Sequence, residues 1–286
     1  MRFRYATLTM FAAVITTPAL ADDGRAGGKL VLTDGITSVE GAAGGGLATW
    51  SLIAGNETDR GIGGTAHVTT VVLPDFTLTA VGGALGIRDR LELSYIRQSF
   101  DTRGAGAALG LGRGFRFEQD IYGIKARVVG DAIWDQDRWL PQIAIGMQHK
   151  VAKKGAVVRA IGATRASGTD FYMSATKLFL AQGIMAGATI RVTKANQFGL
   201  LGQGDRRSVQ FEGSLGKLFA HNLLVGGEYR TKPDNLDFAR ESDAFDAFAA
   251  WGIHRNITLT AAYVDLGDIA TVKRQRGAFL QLQGGF

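Results

Sequence analysis

Apolar and polar positions alternate with a period of two along much of this chain, most regularly in its C-terminal half. In residues 223–232, Val225 and Tyr229 share one face, whereas Glu228 and Arg230 share the other. Successive side chains of a β-strand point to opposite sides, so this pattern predicts strands with one apolar and one polar face. The same alternation occurs in residues 184–194, 245–253, 257–263 and 276–286.

Further candidate strands precede these, although several of them alternate less regularly. They are residues 47–56, 61–72, 76–87, 90–100, 117–130, 140–150, 156–165, 169–180 and 208–219. Two stretches stay open: residues 150–168 form either a strand pair or an outer loop, and residues 29–46 form either the first strand or a segment folded into a lumen. An even number of strands is required if both chain ends lie on the same side of a membrane.

Alternation alone does not separate a soluble β-sandwich from a membrane barrel, but three further features favour the barrel. Short connections at residues 220–222 and 254–256 are interleaved with long polar ones at 195–207, 233–242 and 266–275. Aromatic residues near the strand ends suit the two membrane interfaces: Phe219, Tyr229, Phe245, Trp251, Tyr263 and Phe286. The chain also stops within a strand. We therefore predict an all-β fold, a transmembrane antiparallel β-barrel of about 12–14 strands.

The last residue, Phe286, ends an amphipathic strand that begins at Arg276. A terminal aromatic residue on such a strand resembles the assembly signal of outer-membrane barrels. The barrel-assembly machinery is therefore an expected partner, recognised through this C-terminal strand.

The N-terminus has the features of a cleavable signal peptide. Arg2 and Arg4 provide a basic start, an apolar stretch follows, and Ala19-Leu20-Ala21 forms a small-x-small cleavage site. This predicts a signal peptide at 1–21, an N-terminal segment at 22–46 and an outer-membrane barrel at 47–286. We expect Sec-type export to the outer membrane of a Gram-negative bacterium.

Composition agrees with an envelope protein and argues against other classes. The chain has no Cys, which suits passage through an oxidising compartment. Its net charge of +6 comes from Lys and Arg residues scattered among acids rather than concentrated in patches. This argues against a nucleic-acid partner.

Three stretches give the chain a family resemblance: EGAAGGG with its glycines at Gly41–Gly46, GAALGLGRG at Gly106–Gly114, and YRTKPDNL at Tyr229–Leu236. They resemble an uncharacterised family of proteobacterial outer-membrane proteins, domain of unknown function 3034. The resemblance implies a barrel and provides no catalytic residues.

Ionisable residues fall on the faces predicted to point inward, where charge in a water-filled lumen is tolerated. We expect Lys125, Arg127, Arg191, Glu212, Glu228, Arg230 and Lys232 to line the lumen, together with Glu92. The function predicted from them is a pore for small hydrophilic solutes, with a weak anion preference because cations are in excess. An open pore requires that residues 22–46 do not fold inward as a plug. Replacing Arg191 and Arg230 by Glu should then change selectivity with little effect on folding.

Two other functions stay open. One is a structural or surface-interaction protein that meets outer-membrane lipid and lipopolysaccharide, and the other is a rim hydrolase. The four histidines have no catalytic partner recognisable from the sequence, and no metal-ligand motif occurs. We therefore expect no enzyme, cofactor or metal, and leave the solute and the oligomeric state open.

Overall fold

The computed structural model describes Lys29, Leu32 and residues 36–236 and 241–286, so the predicted signal peptide lies outside the described residues. Two short strands, Ile36–Thr37 (β1) and Ala43–Gly44 (β2), precede twelve longer ones. These are Ile62–Val72 (β3), Thr77–Ile87 (β4), Leu91–Asp101 (β5), Arg116–Val129 (β6), Gln142–Ala152 (β7), Ser167–Phe179 (β8), Ile184–Ala195 (β9), Gln203–Phe219 (β10), Leu223–Arg230 (β11), Ala244–His254 (β12), Ile257–Asp265 (β13) and Arg276–Gly285 (β14). Short helices occupy Ala105–Ala108 (α1) and Gly155–Ala160 (α2), and a 3-10 turn occupies Gln197–Gly199.

Strands β3 to β14 form a closed barrel in which each strand pairs antiparallel with the next. The seam closes between β14 and β3, where Leu282 lies opposite Val68. Beyond β14, the amide of Phe286 donates to the Gly64 carbonyl at 2.9 Å, and the Phe286 carbonyl accepts from Gly64 at 3.0 Å. The predicted antiparallel barrel is confirmed, with twelve strands.

Two of the candidate strands are wrong. Residues 47–56 lie inside the barrel, so its wall begins at Ile62 rather than at residue 47. Residues 156–165 lie in a loop that contains α2, where the Ile161 amide donates to the Val157 carbonyl at 3.1 Å. The apolar residues of this loop follow a helical turn, with Val158 buried, so a period of two does not describe them. The stretch 150–168 is therefore mainly a loop and not a strand pair.

The outer surface of the barrel is apolar, as a surface in contact with lipid must be. Exposed side chains in mid-strand include Val81, Leu93, Met173, Ile190 and Leu215. The six aromatic residues predicted near strand ends are all exposed: Phe219, Tyr229, Phe245, Trp251, Tyr263 and Phe286. Among the described residues, no helix is long and apolar enough to cross a membrane.

The two ends of the barrel differ in their connections. The end that holds the first residue of β3 and the last of β14 carries mostly short turns, at residues 88–90, 180–183, 220–222 and 255–256, and one longer connection at 130–141. The opposite end carries the loops 102–115, 153–166, 196–202, 231–243 and 266–275 and one short connection at 73–76. We call these the turn end and the loop end. The connection predicted at 195–207 is shorter than expected because β10 already starts at Gln203.

Candidate functional site in the barrel lumen

The lumen is occupied by residues 36–57, which we call the lumen segment. Every residue from Ile36 to Gly55 is buried, and Trp50 is only 1% exposed. Within the segment, β1 and β2 form a small hairpin that does not pair with any of the twelve strands of the wall. Two alternatives were left open for residues 29–46, a first strand or a segment folded into the lumen. The described residues 36–46 follow the second alternative.

Polar side chains of the wall satisfy the backbone of the lumen segment. Glu228 accepts hydrogen bonds from the amides of Leu47 at 2.7 Å and Ala48 at 3.1 Å. Glu212 accepts from the Thr49 amide at 2.7 Å. A buried amide without a hydrogen-bond partner is costly. Here the two carboxylates accept the hydrogen bonds that water or a neighbouring strand would otherwise accept.

A buried ion pair supports the segment nearer the turn end. Lys125 and Glu92 lie 3.0 Å apart. Lys125 also donates to the carbonyls of Ala43 at 3.0 Å and Trp50 at 3.2 Å. Glu92 accepts from the amides of Ala43 at 3.2 Å and Ala54 at 3.0 Å. This ion pair between the neighbouring strands β5 and β6 therefore binds the lumen segment at two places, at Ala43 and again at Trp50 and Ala54.

A layer of six buried charged residues crosses the lumen, and we call it the charged layer. Its members are Glu40 of the lumen segment and Lys150, Asp170, Arg191, Glu212 and Arg230 of the wall. The Glu40 carboxylate contacts Lys150, lies 2.7 Å from Arg230 and lies 3.6 Å from Arg191. The three cations and three carboxylates balance in charge, which makes their burial tolerable.

The glycine-rich run of the lumen segment lies against the wall. A Cβ on Gly45 would lie 1.8 Å from the Glu228 Oε1 atom, and a Cβ on Gly46 would lie 3.2 Å from the Asp246 Oδ2 atom. Gly41 has a φ of 92°, in the left-handed region that glycine favours. The segment follows this path only because these positions have no side chain.

Apolar clusters fill the lumen on both sides of the charged layer. Toward the loop end, Val39 and Leu47 of the segment pack in one cluster with Phe100, Leu201 and Phe279, beside a cavity of about 40 Å³. Toward the turn end, the cluster contains Leu32, Ile36, Trp50, Leu52, Ile133, Leu178, Leu224 and Phe248. The described part of the lumen segment is therefore packed against apolar side chains on both sides of the charged layer.

Six of the eight residues predicted to line the lumen are buried inside the barrel. Lys125, Arg191, Glu212, Glu228 and Arg230 are all buried on the inner face of the wall, as is Glu92. However, they contact the lumen segment or one another instead of lining open water.

The other two predicted residues lie at the ends of the barrel. Arg127 contacts Asp89 at 2.5 Å and Asp131 at 3.4 Å at the turn end. Lys232 lies just beyond β11 and donates to the Leu266 carbonyl at 2.7 Å near the loop end. Both therefore hold connections between strands.

Sequence reasoning missed several charged residues of the lumen, among them Glu40, Lys150, Asp170 and Asp246. Alternation within 140–150 and 169–180 would have placed Lys150 and Asp170 on inner faces, but Glu40 has no local signal. With these residues included, four cations inside the described wall (Lys125, Lys150, Arg191, Arg230) face five carboxylates (Glu92, Asp170, Glu212, Glu228, Asp246). The excess of cations expected from the sequence is therefore absent among these buried residues.

The described residues form no cluster of three or more metal-ligating side chains. One histidine contacts a hydroxyl: the His149 Nδ1 atom lies 2.9 Å from the Thr169 Oγ1 atom on the outer surface. Within the described ranges, no carboxylate is hydrogen-bonded to this imidazole.

Comparison with known proteins gives a family and a fold. A model of the family described as "Protein of unknown function (DUF3034)" matches residues 33–283. A comparison of the sequence with curated proteins finds no match.

Solved structures with a similar fold include a structure titled "KdgM porin", with a TM-score of 0.51 and 7% sequence identity, covering 78% of this chain and 99% of that one. A second, "KdgM porin in complex with disordered oligogalacturonate", has a TM-score of 0.50 and the same identity and coverage. At this identity the likeness shows a shared fold alone.

Proposed function

Because this chain belongs to the DUF3034 family of proteins of unknown function and has a barrel fold like that of porins, we propose that it is an outer-membrane channel for small hydrophilic solutes. In the state described here, the lumen segment closes it. The chain reaches the outer membrane of a Gram-negative bacterium after Sec-type export and removal of residues 1–21. The turn end faces the periplasm and the loop end faces outward, since outer-membrane barrels have short periplasmic turns and longer external loops.

This proposal rests on the observation that the barrel wall closes without any strand of the lumen segment. The ladder from β3 to β14 closes on itself, and neither β1 nor β2 takes part in it. The lumen segment is held by hydrogen bonds, ion pairs and apolar contacts, and it continues into the wall through residues 58–61. At twelve strands, a barrel is wider than the eight-stranded size that side chains can fill. A displaced segment would leave a polar, water-accessible passage.

Opening requires the segment to leave the charged layer. Removing one partner of a buried ion pair costs about 3–5 kcal/mol, so the closed state should predominate without a trigger. The wall charges that the segment leaves behind would be hydrated in the open lumen, which offsets part of this cost. The segment exits toward the turn end, because Lys29 is already there, 3.0 Å from Asp89.

The open channel should prefer anions weakly. Once Glu40 has left, the charged layer contains three wall cations (Lys150, Arg191, Arg230) and two wall carboxylates (Asp170, Glu212). The local positive potential of this layer in a narrow passage raises the concentration of anions. The effect should weaken with ionic strength, because salt screens charges that are exposed to water.

A second function is favoured by the apolar clusters on both sides of the charged layer. A lumen packed in this way suits a permanently closed barrel whose exposed loops contact lipopolysaccharide or a partner. The experiment described next separates this structural function from a channel.

The test uses Gly45→Ala to weaken the closed state and an engineered disulfide to restore it. The added methyl group collides with Glu228, so the full-length Gly45→Ala protein should conduct in planar bilayers more often than wild type. Gly213→Ala, at a position with no atom within 4 Å of the added carbon, is the matched control.

The disulfide would join Ser51 of the segment to Thr176 of the wall, where the Ser51 amide donates to the Thr176 Oγ1 atom at 2.9 Å. The chain has no Cys that would interfere. In Gly45→Ala with Ser51→Cys and Thr176→Cys, oxidation should abolish conductance and reduction should restore it. A folded protein that stays silent in both redox states would favour the structural function.

A further inference from the structure

Three cations of the charged layer converge on one carboxylate. Lys150, Arg191 and Arg230 lie on β7, β9 and β11, which are alternate strands of the wall, and all three contact Glu40. All three side chains are at most 4% exposed. The strands place them on one side of the lumen, around a point that the lumen segment reaches.

Each guanidinium of this group also has partners other than Glu40. Arg191 lies 2.6 Å from Glu212 and stacks on the ring of Tyr172, with its guanidinium carbon 4.9 Å from the ring centroid. Arg230 stacks at 4.5 Å on Phe198 of the loop end. A planar guanidinium fixed in this way is suited to carboxylates.

The charges of the wall in this layer do not balance without the lumen segment. Among the described residues, Lys150, Arg191 and Arg230 form ion pairs with two wall carboxylates, Asp170 and Glu212. The wall thus has one positive charge in excess, and Glu40 neutralises it. An uncompensated charge in a buried layer is costly, so the site requires a single anion from elsewhere.

We propose that Lys150, Arg191 and Arg230 form a binding site for the carboxylate of a monoanionic solute, and that Glu40 occupies this site as an internal ligand in the closed state. This inference rests on the proposed channel function and names its solute class. When the lumen segment leaves, the site regains its positive charge in the lumen. A solute carboxylate then takes the place of Glu40 and competes with reclosure.

The binding site is tested by chemical rescue, without reference to conductance. Glu40→Ala in the full-length chain removes the carboxylate and leaves a space beside the three cations. Added acetate should raise the thermal unfolding midpoint of this variant by about 2–4 °C, because a ligand of the folded state stabilises it by mass action. Acetamide, which has a similar shape and no charge, should not change the midpoint.

Two controls locate the effect. Wild type should not respond to acetate, because Glu40 occupies the site. Glu57→Ala, which removes another buried carboxylate of the lumen segment, should not respond either. The inference is overturned if acetate and acetamide act alike on Glu40→Ala, or if inorganic phosphate stabilises it and acetate does not.

If Glu40→Ala does not fold, Glu40→Ser keeps a polar side chain and still leaves room for a carboxylate, and binding of acetate to it can be measured by calorimetry against wild type. At least tenfold tighter binding to Glu40→Ser is expected, and equal binding overturns the inference. Because neither measurement depends on current, failure here leaves the channel proposal standing.

Solute use is tested in the conducting Gly45→Ala variant. Glucuronate should reduce the chloride current through this variant, whereas glucose should not, and adding Arg230→Gln should remove the difference. If glucuronate and glucose change the current of an open channel equally, the proposed class of carboxylate solutes is wrong, whereas the channel proposal stands. The absence of current in Gly45→Ala would instead contradict the channel itself.

Discussion

The carboxylate of Glu40 lies 2.7 Å from the guanidinium of Arg230, which joins the lumen segment to β11 across the interior of the barrel. This contact changes what charge reversal at Arg230 is expected to do. On the sequence alone, Arg191 and Arg230 were expected to line open water, and their replacement by Glu to alter only selectivity. In the structure both are buried partners of Glu40 and Glu212, so the expectation of unchanged folding is not supported.

Replacing Arg191 and Arg230 together by Glu should release the lumen segment and destabilise the barrel. The change would bring two new carboxylates next to Glu40, Asp170 and Glu212, with Lys150 as the remaining cation of the layer. Removing even one partner of a buried pair costs about 3–5 kcal/mol. The unboiled protein should lose its folded gel band at a lower temperature, and protease should cleave within residues 36–57.

The matched control is Arg113→Glu with Arg206→Glu, which makes the same change of charge at two exposed positions. If the two double variants melt at the same temperature, the charged layer does not stabilise the closed state.

Stability should depend on pH through Glu57, at the base of the lumen segment. Burial raises the pKa of Glu57 from 4.5 to about 7, against the opposing effect of Lys29. A carboxyl with a raised pKa binds its proton more tightly in the folded state, so its contribution is complete below pH 4.5 and is lost as the pH rises through about 7. The loss is on the order of 3 kcal/mol.

Thermal midpoints measured from pH 4.5 to 8 would test this contribution. Glu57→Gln should flatten the decline, because its side chain does not titrate, and Asp205→Asn at an exposed carboxylate should leave the decline as in wild type. A Glu57→Gln profile parallel to that of wild type would contradict the role of Glu57.

Deleting Phe286 should impair barrel assembly. Its backbone makes two hydrogen bonds with Gly64 across the seam, and its carbonyl also accepts from the Asn56 amide at 2.9 Å. Loss of these bonds leaves the last position of the seam between β14 and β3 unpaired, and closure of the barrel depends on this seam. The yield of heat-modifiable protein in the outer-membrane fraction would report the defect.

Two variants separate the possible causes. Phe286→Ala keeps the backbone bonds and removes the ring, so a defect as large as that of the deletion would assign the effect to recognition of the ring by the assembly machinery, whereas wild-type yield would assign it to the backbone bonds. Deletion of Gly110 in an exposed loop is the control for shortening the chain. Wild-type yield from the Phe286 deletion would contradict both roles.

The mature protein should begin at Asp22. The small residues Ala19 and Ala21 fit the cleavage site, and Asp22 and Asp23 end the apolar stretch. N-terminal sequencing of protein extracted from the outer membrane would show this start. A chain that begins at Met1 in that fraction would contradict it.

The sequence by itself determined the wall of the barrel. Each strand from β3 to β14 has one face toward lipid and one toward the lumen, and this requirement acts on every second residue, so it is readable locally. It was sufficient to place Arg191 and Glu228 inside and Trp251 and Tyr263 outside. The same reasoning failed at residues 156–165, where a loop packs apolar side chains with helical spacing.

Only the tertiary structure decided what fills the barrel. The lumen segment has no repeating pattern, because its backbone is satisfied by side chains such as Glu228 and Glu212 from distant strands rather than by a neighbouring strand. Glu40 is a single acidic residue in a glycine-rich stretch, and its role depends on three cations that closure of the barrel brings around it. Contacts between residues this far apart in sequence leave no local signal, since they depend on the folded path of the whole chain.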